Sequence, residues 1–177
     1  MKNVIVKLIF LVGLGGSYAP LFAQNDFAIE FGTVWQRAKA YTLKLAQAMP
    51  EKHYQFRPTK EAKTFEEELT HIVANFAALQ YYVTGKKATF LGGFKRTGKS
   101  KSETLSMLNK GFDAIMQQIE SLKDKDTNHS VKFFAPNVAM TKKGIYLLIR
   151  DHLTHHRGQL VVYLRLNGIK PPGYVGW

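Results

Sequence analysis

The chain contains no cysteine. Disulfides, a thiol nucleophile and thiolate-ligated metal sites are thereby excluded, so any metal must be held by histidine and carboxylate. Acids are scarce: 13 Asp and Glu stand against 25 Lys and Arg in 177 residues, a formal charge of +12. Convincing strand-like alternation is absent as well, and the one strand-like piece, Val131–Phe134, is short and is expected to be loop. No apolar run is long enough for a comfortable membrane span, which takes about 20 residues.

The nearest approach to such a run is Val4–Leu14, with Lys2 and Lys7 beside it and small residues and Leu21-Phe22-Ala23-Gln24 after it. That order reads as a secretory signal peptide cleaved after Ala23. The expected layout is a signal peptide over 1–23 and a single domain over 24–177, exported to the periplasm or beyond. Cleavage removes two lysines and no acid, which leaves 154 residues and a charge of +10. A chain of that size buries a real core.

What is present is helical periodicity. Phe27, Phe31, Val34, Ala38, Tyr41 and Leu45 form one apolar stripe; Phe65, Leu69, Ile72, Phe76, Leu79 and Val83 form a second. Leu105, Leu108, Phe112, Ile115, Ile119 and Leu122 form a third. The second and third open with capping boxes, Thr64 to Glu67 and Ser100 to Glu103. A fourth helix is predicted over Ile145–Leu166, with the stripe Ile145, Ile149, His152, His156, Gln159, Tyr163, Leu166. Four such segments imply an all-α four-helix bundle, where metal sites are built from inward-facing side chains of adjacent helices.

Three neighbouring stripe positions of the fourth helix are polar. A buried imidazole without a partner costs roughly 1–3 kcal/mol, so His152 and His156, one turn apart on one face, imply a group between or in front of them. A divalent ion with bonds of about 2.0–2.1 Å fits that spacing. Of the other histidines, His53 and His129 fall in polar connectors, and His155 flanks His152 by about 60° around the helix. His71 lies on the flank of the second stripe with Asn75, Ala78 and Tyr82. Helical phase leaves it between a surface residue and a third ligand.

The fourth helix continues His152-Leu153-Thr154-His155-His156-Arg157-Gly158-Gln159, then Leu164-Arg165-Leu166-Asn167-Gly168 and Pro171-Pro172. This resembles the DinB-like superfamily, whose last helix reads H-x-x-x-H-R-G-Q followed by L-R-x-x-G-x-x-P-P. The Pro58 connector, the Thr64–His71 helix start and Gly85 after the second helix extend the likeness over the rest of the mature chain. The resemblance implies a four-helix bundle holding zinc or nickel through His71, His152 and His156. His155, Arg157, Gln159 and Asn75 are candidates for orienting the ligands or touching a substrate. Gly158 inside a helix suggests close approach of another helix or of a substrate.

Gly93-Phe94-Lys95-Arg96-Thr97-Gly98-Lys99-Ser100 matches the phosphate-loop pattern G-x-x-x-x-G-K-[ST]. A phosphate loop must leave a buried strand, yet Lys86–Gly92 is short and has no β-branched run, and the Ser100/Glu103 box accounts for the end of the motif. Nucleotide binding is therefore not expected. The lysines of the 86–101 loop point instead to contact with an anionic surface, and nucleic acid is not an expected partner. A small molecule at the metal and a second copy of the chain, as a homodimer, complete the expected partners.

Three functional classes fit these observations. The first is a metal-dependent hydrolase or transferase; characterised relatives in the wider superfamily are thiol-dependent transferases and isomerases in which a metal acidifies a bound thiol or water. The second is a non-catalytic metal-containing binding or stress-response module. The third is an anionic-surface protein with a structural metal. A general-base carboxylate is not evident, although Glu67 and Glu68 lie one turn before His71 and Asp151 precedes His152.

Overall fold

The structure, a computed structural model, describes residues 25–92 and 97–175. The signal-peptide reading and positions 93–96 of the phosphate-loop match lie outside the described residues. Four long helices, α1 (Asp26–Ala48), α2 (Phe65–Thr84), α3 (Lys101–Glu120) and α5 (Lys142–Leu166), form the body. A single-turn helix, α4 (Asp124–Thr127), and a hairpin, β1 (Ser130–Phe133) with β2 (Ala135–Thr141), join α3 to α5. None of the described helices is long and apolar enough to cross a membrane.

Helices α2 and α3 start at their expected caps, whereas α5 begins at Lys142, three residues before the expected Ile145. Thr64 and Ser100 make the expected reciprocal capping boxes with Glu67 and Glu103. Asn25 and Thr141 cap α1 and α5 by accepting from the amides of Ala28 and Gly144. Gly85 ends α2 in the left-handed conformation at φ 69°, where a side chain would be strained.

Polar ties at the helix ends show how the bundle runs. Asn25 Nδ2 donates to Leu122 O at 3.0 Å and Thr127 Oγ1 at 2.8 Å, so α1 begins beside the end of α3. Lys101 Nζ donates to Gln47 O and Met49 O, so α3 begins where α1 ends. Tyr163 Oη donates to Lys63 O at 2.7 Å, which sets the end of α5 against the start of α2. Helices α2 and α3 are therefore parallel. The segment 85–100 is a crossover running the length of the bundle, a variation that bundles of this class accommodate.

The core follows the expected stripes on α2 and α3, while on α1 Trp35, outside the expected stripe, is buried in place of half-buried Val34; Trp35, Phe76 and Phe112 pack at ring separations of 4.9–5.1 Å. On α5 the expected stripe drifts. Leu166 is 57% exposed and Gln159 is half-buried, while Tyr146, Leu153, Leu160 and Leu164 are buried. A strict alternation of three and four averages 3.5 residues per turn, and a straight helix falls out of phase with it by about 20° per heptad.

Two further expectations are corrected. Val131–Phe134 is not loop: Val131 pairs with Met140 and Lys132 with Ala139 in an antiparallel ladder with a bulge after Lys132. Pro136 and Asn137 in the partner strand, and the lack of an Asn-Gly type turn, hide the hairpin from pattern reading. Gly158 approaches nothing, for a Cβ placed there meets no atom within 4 Å. Alanine fits this helical site, so Gly158→Ala is expected to raise stability by about 0.5–1 kcal/mol in urea denaturation.

The crossover also settles what the glycine-lysine motif does. No strand precedes it among residues 86–92. The amides of Gly98 and Lys99 donate at 3.2 and 2.8 Å to the Glu66 carboxylate, which is fully buried and also accepts from Gln55 Nε2. An internal carboxylate occupies the donors a phosphate would need. Ser100→Ala is expected to cost about 1 kcal/mol through its cap. Glu66→Ala should cost more, about 2–3 kcal/mol, because it orphans two amides and an amide side chain; urea midpoints check both.

Candidate metal centre

His71 stands on the flank of α2 and His152 and His156 stand on α5, the helix packed antiparallel against it. The two elements bring the three rings together: His71 Nε2 is 3.3 Å from His152 Nε2, which is 3.2 Å from His156 Nε2. All three ligand atoms lie within 4.8 Å of one another. Two nitrogens bound to one ion at about 2.0–2.1 Å in tetrahedral geometry are separated by about 3.3 Å, which the observed spacings match.

Burial differs among the three. His156 is 5% exposed, whereas His71 and His152 are half-buried, so the cluster has a sealed side and an accessible one. Behind His156, its Nδ1 lies 2.6 Å from Glu68 Oε2, on a carboxylate that is also buried. Glu68 sits one turn before His71 on α2. That helix thus supplies one ligand and the group that orients another.

The contact decides the tautomer. Glu68 takes the Nδ1 proton as acceptor, which leaves the His156 Nε2 lone pair aimed at the other two rings. Burial alone would raise the Glu68 pKa; the hydrogen bond and charge of His156, with Lys63 and His71 further off, outweigh it and hold the carboxyl below its usual value. His152 is pushed down to about 4 by burial first and then by His156, His71 and His155. It is neutral near pH 7, with Nδ1 buried and unpartnered. Converging imidazole nitrogens backed by a buried carboxylate are the donor set a divalent metal requires.

The remaining candidates are dispersed. His155 is exposed and its Nε2 is 2.9 Å from Gln159 Nε2, so the two pair on the surface of α5. Arg157 turns toward α1, lies over the Tyr41 ring at 5.8 Å and donates to Thr154 Oγ1. Asn75 alone joins His71, lining a cavity of about 500 Å³ with Arg57, Lys63 and Glu67; its Oδ1 is buried without a partner. Among the carboxylates, Glu67 caps Thr64 and pairs with Arg57 at 3.5 Å, and Asp151 pairs with Arg150 on the surface. Glu68 is the functional residue whose role spacing did not reveal. Its i, i+3 relation to His71 is the signal that places it on the same side of α2.

The metal-free centre should make stability depend on pH. A histidine whose folded pKa of about 4 lies below the unfolded 6.5 binds fewer protons when folded, so its contribution is full above 6.5 and is lost as pH falls toward 4. Glu68, held below its unfolded value, contributes above about 4.5 and loses that contribution at still lower pH. Thermal midpoints of chelator-treated protein are expected to drop between pH 6.5 and 4, and less so in His152→Asn.

Relatives share this architecture. A protein of Bacillus subtilis (strain 168), known as uncharacterized protein YjoA, is 25% identical over 132 residues, covering 72% of this chain and 82% of that protein. Its crystal structure as a DinB-like protein superposes with a TM-score of 0.65 at 19% identity, over 82% of this chain and 96% of that one. A DinB-like protein from Bacillus cereus ATCC 10987 superposes with a TM-score of 0.72 at 21% identity, over 82% and 95% of the two chains. With residues 23–176 matching the sequence profile of the DinB family, the chain belongs to that family.

Proposed function

We propose that the protein binds one divalent metal ion, zinc or nickel, through His71, His152 and His156, and that the filled site acts on a small molecule as a metal-dependent hydrolase or transferase. The observation that carries this is the convergence of three imidazole nitrogens at 3.2–3.3 Å with the innermost ring backed by buried Glu68. Because all three ligands are neutral, a bound divalent ion keeps its full charge and supplies Lewis acidity toward water or a substrate heteroatom.

The chain's own residues do the rest. Glu68 fixes the His156 tautomer and keeps its lone pair directed at the site. The buried wall of α2 and α5 excludes water from one side, while half-buried His71 and His152 leave the other open. The cavity beside His71, lined also by Asn75, Arg57 and Lys63, gives room and polar contacts for a small substrate. One observation favours a non-catalytic binding or stress-response module: the carboxylates nearest the cluster, Glu67 and Glu68, are already engaged. Turnover of thiol, ester, amide or phosphoester substrates by the metal-loaded protein separates the two readings. We also propose export, with cleavage after Ala23; amino-terminal sequencing of the protein from its native host tests it.

Untagged protein is expected to carry one equivalent of metal by elemental analysis. His152→Ala/His156→Ala should lose it and the metal-dependent rise in thermal midpoint. Glu68→Gln should retain the fold and weaken metal affinity by about 10–100-fold. Stoichiometric metal in the double-alanine variant would overturn the assignment.

A further inference from the structure

A second feature, remote from the histidines, lies where α2 ends and α5 begins. Phe134, between β1 and β2, has φ 56°, a left-handed conformation unfavourable for an aromatic residue, and its ring is 75% exposed. It stands on a ring cluster: Phe133 at 4.4 Å and Tyr82 of α2 at 5.4 Å, with the neighbouring Tyr81 49% exposed. Val138 of β2 is also exposed. The backbone thus holds a phenyl ring out in water on a rigid aromatic base.

Exposed cations lie at the same end of the bundle. Lys86 and Lys87 follow the α2 cap, Lys132 lies in β1, and Lys143 opens α5; all four are exposed. No acid occurs in the chain from Leu69 to Ser102 or from Thr127 to Arg150. Of the acids at this end of the bundle, Glu120 and Asp124 line a cavity between α1 and α3, and Asp26, Glu30 and Asp126 lie on α1 and α4. The crossover also divides the basic 86–101 loop: Lys101 is tied to Gln47 and Met49 at the opposite end. Among the described cations of that loop, Lys86 and Lys87 are the ones at the end of the aromatic patch.

We propose that this end docks on an anionic phospholipid bilayer, with Phe134 and Tyr81 at headgroup depth and Lys86, Lys87 and Lys132 against the lipid phosphates. Aromatic rings enter the interface while lysines gain from the negative surface potential, so a protruding ring with exposed cations at the same end matches a bilayer. A nucleic acid would instead need cations tracking a groove with stacking rings between them.

The test uses the full chain in cosedimentation with vesicles of phosphatidylcholine alone or with about one third phosphatidylglycerol. Binding is expected to be at least about tenfold tighter to the anionic vesicles and to weaken with salt. Phe134→Ser and Lys86→Glu/Lys87→Glu should each reduce it by about tenfold with unchanged thermal midpoint and metal content. Lys52→Glu/Lys60→Glu, exposed at the opposite end, should leave it intact. Phe134→Trp, which keeps an aromatic ring, should shift its emission to the blue on anionic vesicles. Undiminished binding in the patch variants would assign the contact to another segment, Val4–Leu14 included. That result, an equal loss at the opposite end, or unmoved tryptophan emission overturns the proposal.

Discussion

Glu68 and His156 face each other at 2.6 Å across α2 and α5, with side chains only 3% and 7% exposed. Neither is tolerable alone in that position. A buried carboxylate without a donor, or a buried imidazole without an acceptor, costs more than a typical net hydrogen bond returns. The pair therefore pins the axial register of α2 against α5. With that register set, His71 one turn from Glu68 must meet His152 one turn from His156. The geometry of the centre is a consequence of a two-residue constraint.

The rest of the bundle holds that register from outside. Tyr163 reaches Lys63 and locks the end of α5 onto the connector before α2, while Glu66 gathers the Gly98 and Lys99 amides as the crossover arrives at α3. Consecutive residues of one helix thus do separate work: Glu66 ties the crossover, Glu67 closes the capping box, and Glu68 orients a histidine. The helical 100° step sends each in a different direction. Among the described residues, the two buried acids, Glu66 and Glu68, both stand where N–H partners need them.

The crossover gives the molecule distinct ends. With α2 and α3 parallel, the segment between them connects opposite ends of the bundle, and the hairpin that links α3 to α5 closes one end with aromatic rings. The metal cluster lies along the α2–α5 seam, away from the hairpin. The histidine cluster and the aromatic end are therefore physically separate.

By itself the sequence determined the helices, their starts and the chemistry available. Capping boxes at Thr64 and Ser100 are local, and apolar stripes repeat within a few turns, so both are legible without knowing what packs against them. The i, i+4 pair His152/His156 was legible for the same reason. Only tertiary structure decided the rest. Helical phase left His71 on a flank between solvent and ligand, and the packing of α2 on α5 brings its ring beside His152 and His156. The part played by Glu68 depends on a partner 88 residues away, the Glu66 contacts on loop amides more than 30 residues away, and the hairpin on a pairing too short to leave an alternating pattern. Local periodicity encodes which way a side chain leaves its helix; what it meets is set by long-range packing.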